Sequence, residues 1–157
     1  MSKRVQVALL LTGNELMSGD IVDSNSSRIA HALAAHKIGV GKKITVGDDP
    51  QLLSDSLIEL CANAEVVIIN GGLGPTEDDL TADIVAEVAG KALVDHPKAI
   101  AHLEAWCERR GLDLNPSNLK QALLPDGADL VANPIGSAVG FALEVNGALV
   151  MTTPGVP

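Results

Sequence analysis

Apolar residues fall along this chain in two recurring patterns. Val5-Gln6-Val7-Ala8-Leu9-Leu10-Leu11 and Glu65-Val66-Val67-Ile68-Ile69-Asn70 are apolar almost without alternation. Strands covered on both faces have this pattern. Around them the apolar positions take helical spacing: Ile29, Ala30, Leu33 and Ala34; then Leu52, Leu53, Ser56, Leu57 and Leu60; then Leu80, Ile84, Val85 and Val88. With a further strand over Val40 to Val46, the first ninety residues read β-α-β-α-β-α. That order predicts an α/β fold with a mostly parallel sheet and crossover helices.

Punctuating residues set the expected boundaries. Thr12 to Gly19 reads as a loop, and Asp23-Ser24-Asn25-Ser26 offers N-caps for a helix running to about Lys37 and ended by Gly39. Asp49 and Pro50 make a cap and first-position pair for a helix through Ala62. Thr76 is expected to start the next helix, with Asp79 at capping-box spacing, and Gly90 to end it. Beyond Gly90, Ala92 to Val94 reads as a short strand. Pro97 opens a helix through Arg110, with Leu103 and Trp106 as packing residues. Asn115-Pro116-Ser117 starts a shorter helix reaching Leu123 or Leu124 and closed by Pro125, and Ala128 to Ala132 is a strand candidate. Asn146-Gly147, between Phe141–Val145 and Ala148–Met151, is the strongest hairpin signal. Residues 1–157 are expected to be one domain. Because Thr152-Thr153-Pro154-Gly155-Val156-Pro157 places a glycine-proline loop directly after a strand, a truncated C-terminus is expected.

Composition narrows the partners. Hydrophobic residues make up 46% of the chain, yet no apolar run reaches the roughly 18 to 20 residues that span a bilayer. Met1-Ser2-Lys3-Arg4 leads straight into a strand, which argues against a signal peptide. Cys61 and Cys107 lie in helical patterns without a CxxC, as reduced thiols of a cytoplasmic protein would. A net charge of −9 disfavours nucleic acid. With Trp106 and Phe141 as the only aromatics, no stacking platform is expected, and a bound base would rest on aliphatic side chains and backbone. A small molecule or a partner surface remains, and self-association into a homo-oligomer is expected.

The candidate chemistry lies after the third strand. Gly71, Gly72 and Gly74 let backbone approach a ligand closely, as phosphate loops require. Asp78 and Asp79 follow, and Asp79, Asp83 and Glu87 fall at i, i+4 and i+8 on one expected helix face. Bare carboxylates would repel a phosphate. The two features serve one ligand only if a divalent cation bridges them, and hard oxygen donors suit magnesium or manganese. The same acids are equally ordinary partners of a helix dipole, and Glu87 reads as solvated surface. In an open parallel sheet, ligands sit beyond the carboxyl ends of the strands. The loops Thr12–Gly19, Gly47–Asp49 and Asn70–Asp79 would bring Asn14, Glu15, Asp48, Asp49, Asp78 and Asp79 to one rim.

Other motifs fail. No GK[ST] follows the glycines, and the third glycine of a dinucleotide fingerprint is missing. Gly136-Ser137-Ala138-Val139-Gly140 is no nucleophile elbow. His31 and His36 are five apart, and none of the four histidines has zinc-ligand spacing.

Gly71-Gly72-Leu73-Gly74-Pro75-Thr76-Glu77-Asp78-Asp79-Leu80-Thr81 resembles the signature of the N-terminal domain of the competence/damage-inducible CinA family. That family is related to the molybdopterin-binding domains of MogA, MoeA and gephyrin. The resemblance extends through Gly13-Asn14-Glu15-Leu16, Gly19 to Asn25, Val46-Gly47-Asp48, Asn118 to Ala122, Asn133 to Gly136, Gly140 to Glu144 and Pro154-Gly155-Val156-Pro157. It implies a three-layer α/β/α sandwich of the molybdopterin-binding type, here with a C-terminal β-hairpin. It also implies metal-dependent pyrophosphatase activity on ADP-ribose, or, as in the molybdenum-cofactor relatives, binding of molybdopterin. On this resemblance Asp79, with Asp49 or its neighbour Asp48, is expected to be catalytic. Asp78, Asp79 and Glu15 would hold the cation (Mg, Mn or Co). Gly71, Gly72, Gly74, Thr76, Thr12, Asn14 and Gly155 would contact the nucleotide or pterin. Two residues depart from the family pattern: Asn14 replaces a common threonine, and Glu77 a common lysine or histidine, so this rim is more acidic. Some members also carry a C-terminal deamidase domain, and deamidase activity is not expected of residues 1–157.

Overall fold

A computed structural model describes residues 4–155. Val156 and Pro157, the last two residues of the proline-glycine motif, lie outside the described residues. Eight strands and six α-helices follow in the order β1 (Val5–Thr12), α1 (Asn14–Ser18), α2 (Asn25–Ala34), β2 (Val40–Val46), α3 (Pro50–Asn63), β3 (Ala64–Asn70), α4 (Thr81–Ala89), β4 (Leu93–Asp95), α5 (Pro97–Arg109), α6 (Pro116–Leu119), β5 (Leu123–Pro125), β6 (Asp129–Val131), β7 (Gly140–Val145) and β8 (Ala148–Thr153).

The main sheet has the order β2-β1-β3-β8-β7-β6. Its first four strands are parallel, and β7 and β6 run antiparallel to their neighbours. Alternate residues of β1 point to opposite faces, and the core divides accordingly. Val7, Leu9 and Leu11 form one cluster, against which Leu16 of α1 and Ile29 and Leu33 of α2 pack. Ala8 and Leu10 join a larger cluster with Leu53, Leu57 and Leu60 of α3, Ile84 and Val85 of α4 and Leu103 of α5. Helices therefore cover both faces, giving the three layers that unalternated strands require. The expected hairpin forms, with Asn146 at φ 50° and Gly147 at φ 83°. Both of its strands belong to the main sheet, and β8 lies beside β3.

Several boundaries differ from the sequence expectation. The Thr12–Gly19 segment contains the short helix α1, ended by left-handed Gly19. Helix α2 stops at Ala34, and the left-handed residue after it is Lys37 (φ 60°) rather than Gly39. Leu52, expected inside, is exposed, because Leu53, Leu57, Leu60 and Cys61 define the buried stripe of α3. Leu123–Pro125 leaves the helical pattern to pair as a strand with Leu93–Asp95, a tertiary pairing that local spacing does not encode.

The largest correction concerns Thr76. No helix starts there: Asp79 Oδ2 accepts from the Thr76 amide (2.9 Å) and hydroxyl (2.7 Å), closing a turn on itself. Helix α4 starts at Thr81, whose hydroxyl donates to the Gly71 carbonyl at 2.7 Å. The i, i+4, i+8 acidic face consequently lacks its first member, leaving Asp83 and Glu87 along α4.

Candidate functional site

Strand order 2-1-3 places the topological switch between β1 and β3, and a crevice opens beyond the carboxyl ends there. It is a cleft of about 830 Å³. Its floor is built from the ends of three strands, at Thr12, Asn70 and the Pro154-Gly155 segment after β8. Asn70, buried at the end of β3, ties them together. Its side-chain nitrogen donates to Thr153 Oγ1 (2.9 Å) and the Pro154 carbonyl (3.0 Å), and its oxygen accepts from Asn25 (3.0 Å). Asn25, at the start of α2, also donates to the Gly155 carbonyl at 2.7 Å. Neither asparagine was expected at the site; Asn70 could have been noticed as a polar end to an otherwise apolar strand.

Gly71-Gly72-Leu73-Gly74-Pro75-Thr76 forms one wall. Gly71 (φ 108°) and Gly72 (φ 71°) adopt left-handed backbone, and a Cβ on Gly72 would overlap the Thr81 hydroxyl. A Cβ on Gly155 would come within 3.0 Å of the Gly71 backbone, so these two glycines let the chain cross itself under the ligand space. The Gly71 amide is bonded to the Thr153 carbonyl (3.0 Å). The amides of Gly72, Leu73 and Gly74 find no acceptor among the described residues. Lys120 draws the loop down by donating to the carbonyls of Thr76 and of Asp79, the latter at 2.7 Å.

Of the expected acids, Glu15, Asp48, Asp78 and Asp79 line the cleft. Asp48 is held firmly: its carboxylate accepts from the Thr12 hydroxyl (3.0 Å) and the Asn14 amide (3.3 Å). Asn14 returns the contact by accepting from the Asp48 amide at 2.9 Å, which turns its side chain to the Asp48 loop and away from the cleft wall. Asp49 is also not on the wall. It caps α3, accepting from the Leu52 amide at 2.9 Å. No three acidic, histidine or cysteine side chains gather closely enough to hold a metal ion among the described residues. Asp48, Asp49 and Asp79 thus do not form the shared acidic cluster that topology suggested.

Further lining comes from the less regular second half of the chain. Trp106 reaches the cleft from α5 and Arg110 from the residue that caps it, Gln121 from the turn before β5, and Asn133 and Ile135 to Ala138 from a loop. That loop is fixed by His102 Nε2, which donates to the Gly136 carbonyl (2.8 Å), and by Ser137 Oγ, which donates to Gln121 Oε1 (2.9 Å). Trp106 was expected to be a packing residue. Leu103 and Cys107 take that role on α5, and the i, i+4, i+8 line His102, Trp106, Arg110 faces the cleft and its loop.

A doubly wound α/β sheet with a glycine-walled cleft at its switch point defines the class of fold to which small-molecule-binding domains belong. The chain belongs to a particular family within that class, described as "Probable molybdopterin binding domain", whose model matches residues 8–157. It is 51% identical over 152 residues to a CinA-like protein of Colwellia psychrerythraea, covering 97% of this chain and 35% of that protein. A CinA-like protein of Geobacter metallireducens is 45% identical over 153 residues, with 98% and 37% covered. The chain spans about a third of the length of the curated relatives it matches. Among solved structures, CinA of Thermoplasma acidophilum, described as of unknown function, superposes with a TM-score of 0.88 at 31% identity, over 99% of this chain and 91% of that one. The molybdopterin biosynthesis enzyme MoaB of Thermus thermophilus shares the fold, with a TM-score of 0.64 at 18% identity over 98% of this chain and 82% of that one. No described helix is long and apolar enough to cross a membrane.

Proposed function

We propose that this domain binds the pyrophosphate of a nucleotide sugar and hydrolyses it, with ADP-ribose as the type substrate. The carrying observation is that unpartnered amides at Gly72 to Gly74 and the carboxylates of Asp48, Asp78 and Asp79 line one cleft. Amides alone suit phosphate oxygens. Asp48, whose carboxylate accepts from Thr12 and Asn14, would orient the attacking water.

The acids do not form a protein-only metal cage. They fit a cation held by one or two carboxylates and completed by substrate oxygens, the usual arrangement for magnesium. Asp79 and its neighbour Asp78 would hold it, whether Mg, Mn or Co, without Glu15, which does not gather with them into a three-acid set, and it would supply neutralisation of the diphosphate charge. Water adds to one phosphorus and the bridging P–O bond breaks, so ADP-ribose and water give AMP and ribose 5-phosphate. Incubating the protein with ADP-ribose and each metal, and separating the products, tests this. Asp79→Asn keeps a side-chain oxygen for Thr76 and is expected to cut turnover by about a hundredfold or more. Undiminished turnover would remove Asp79 from the chemistry.

A second reading is a molybdopterin-binding domain without hydrolysis. It is favoured by the existing engagement of Asp79 Oδ2 in the turn with Thr76. Calorimetry with molybdopterin and with ADP-ribose separates the two, since each reading expects micromolar binding of its own ligand. Self-association of the chain belongs to either reading, and sedimentation at a multiple of the monomer mass would support it.

A further inference from the structure

We propose that Trp106 and Arg110, both on the wall of the cleft, form a stacking platform for the planar heterocycle of the ligand. The inference rests on the reading of the cleft as a nucleotide or pterin site, and it names what recognises the ring. The chain has one tryptophan, one phenylalanine and no tyrosine. Phe141 is fully buried in the core, so Trp106 is the one aromatic surface a ligand can meet among the described residues. It lies on the cleft wall together with Arg110.

The Arg110 guanidinium sits 4.7 Å from the centre of the Trp106 ring, within cation–π range. Ion pairs among the described residues are Lys42–Glu59 and Lys43–Asp23, so Arg110 has no carboxylate partner there. A planar cation on a planar indole offers a flat surface with free N–H donors at its edge. That surface suits an aromatic ring bearing carbonyl or ring-nitrogen acceptors.

The platform is also held in place. His102, one turn before Trp106, donates from Nε2 to the Gly136 carbonyl, a bond that fixes α5 against the loop forming the adjoining wall. About 830 Å³ lies toward the upper part of the 300–1,000 Å³ range usual for small-molecule sites, leaving room for a ring beyond a diphosphate.

Because Trp106 is the sole tryptophan, its fluorescence reports directly on the site. In the full chain, AMP or ADP-ribose is expected to quench it saturably. Inorganic pyrophosphate, which has no ring, is expected to compete without quenching. Trp106→Leu should weaken AMP binding about tenfold by calorimetry, in the range for loss of base–aromatic stacking. Arg110→Ala should weaken it about threefold. Trp106→Phe should stay near wild type, and pyrophosphate affinity should be unchanged in the two tryptophan variants. AMP binding that is insensitive to Trp106→Leu overturns the platform and leaves the proposed hydrolysis standing. Quenching by AMP in a protein that turns over no ADP-ribose supports the platform and overturns the hydrolysis. Failure of AMP, ADP-ribose and molybdopterin alike to bind overturns both.

Discussion

At Cys61, burial outweighs a nearby cation. The thiol lies at the end of α3 in the larger core cluster, and its loss of solvent pushes its pKa from 9.0 up to about 11, a rise only partly opposed by nearby Arg4. Arg4 donates to the Cys61 carbonyl at 2.6 Å, which holds the cation near the thiol. Between pH 9 and 11 the unfolded chain loses the thiol proton while the folded chain keeps it. Fewer protons bound in the unfolded state make stability fall as pH rises through this window, by about 1.4 kcal/mol per unit for this group. The Cys61→Ala variant is expected to show a shallower alkaline decline in urea midpoint than wild type between pH 9 and 11. Equal slopes would refute the account. In the native protein at pH 8, Cys61 should resist alkylation.

Among the elements, β7 and β8 show how a side chain can replace a ladder bond. Phe141 stands where Thr152 would face it, yet its amide donates to the Thr152 hydroxyl at 2.9 Å. Gly140 makes this possible, since a Cβ there would overlap the Thr152 carbonyl. Thr152 is fully buried. Thr152→Val preserves shape and removes the acceptor, leaving the Phe141 amide unpaired, and is expected to cost about 1–3 kcal/mol in urea unfolding. Thr152→Ser keeps the acceptor and should recover most of that loss. This exchange was not visible beforehand, because threonine in a strand reads as a β-branched residue.

Long, uniformly apolar runs such as β1 and β3 were legible because both faces of those strands are covered. The turn at Thr76–Asp79 was not, because capping-box spacing and a self-closing aspartate turn use the same residues three apart. Trp106 was misjudged for a related reason. Helical spacing defines a stripe without saying whether core or cleft lies opposite it.

Across the whole molecule, the candidate site was legible as a rim and illegible as a cluster. Strand order brought Thr12, Asp48, Gly71, Gly74, Asp79 and Gly155 to one cleft, as parallel topology requires. It did not foresee that Asp49 would be consumed as a helix cap or that further lining would come from α5 and the 133–138 loop. A net charge of −9 repels a diphosphate before any local contact forms. Screening relieves that repulsion, with the Debye length falling from about 30 Å at 0.01 M salt to about 10 Å at 0.1 M. Without divalent metal, ADP-ribose binding followed by Trp106 fluorescence is therefore expected to tighten severalfold over that range of sodium chloride. Basic sites that hold phosphate by ion pairing show the opposite sign, weakening as salt rises. With saturating magnesium the carboxylates and phosphates are matched locally, so the dependence should flatten. Affinity that falls with salt in the absence of metal would mean that Arg110 outweighs the acids at the cleft, and that the ligand is held by a cation of the protein itself.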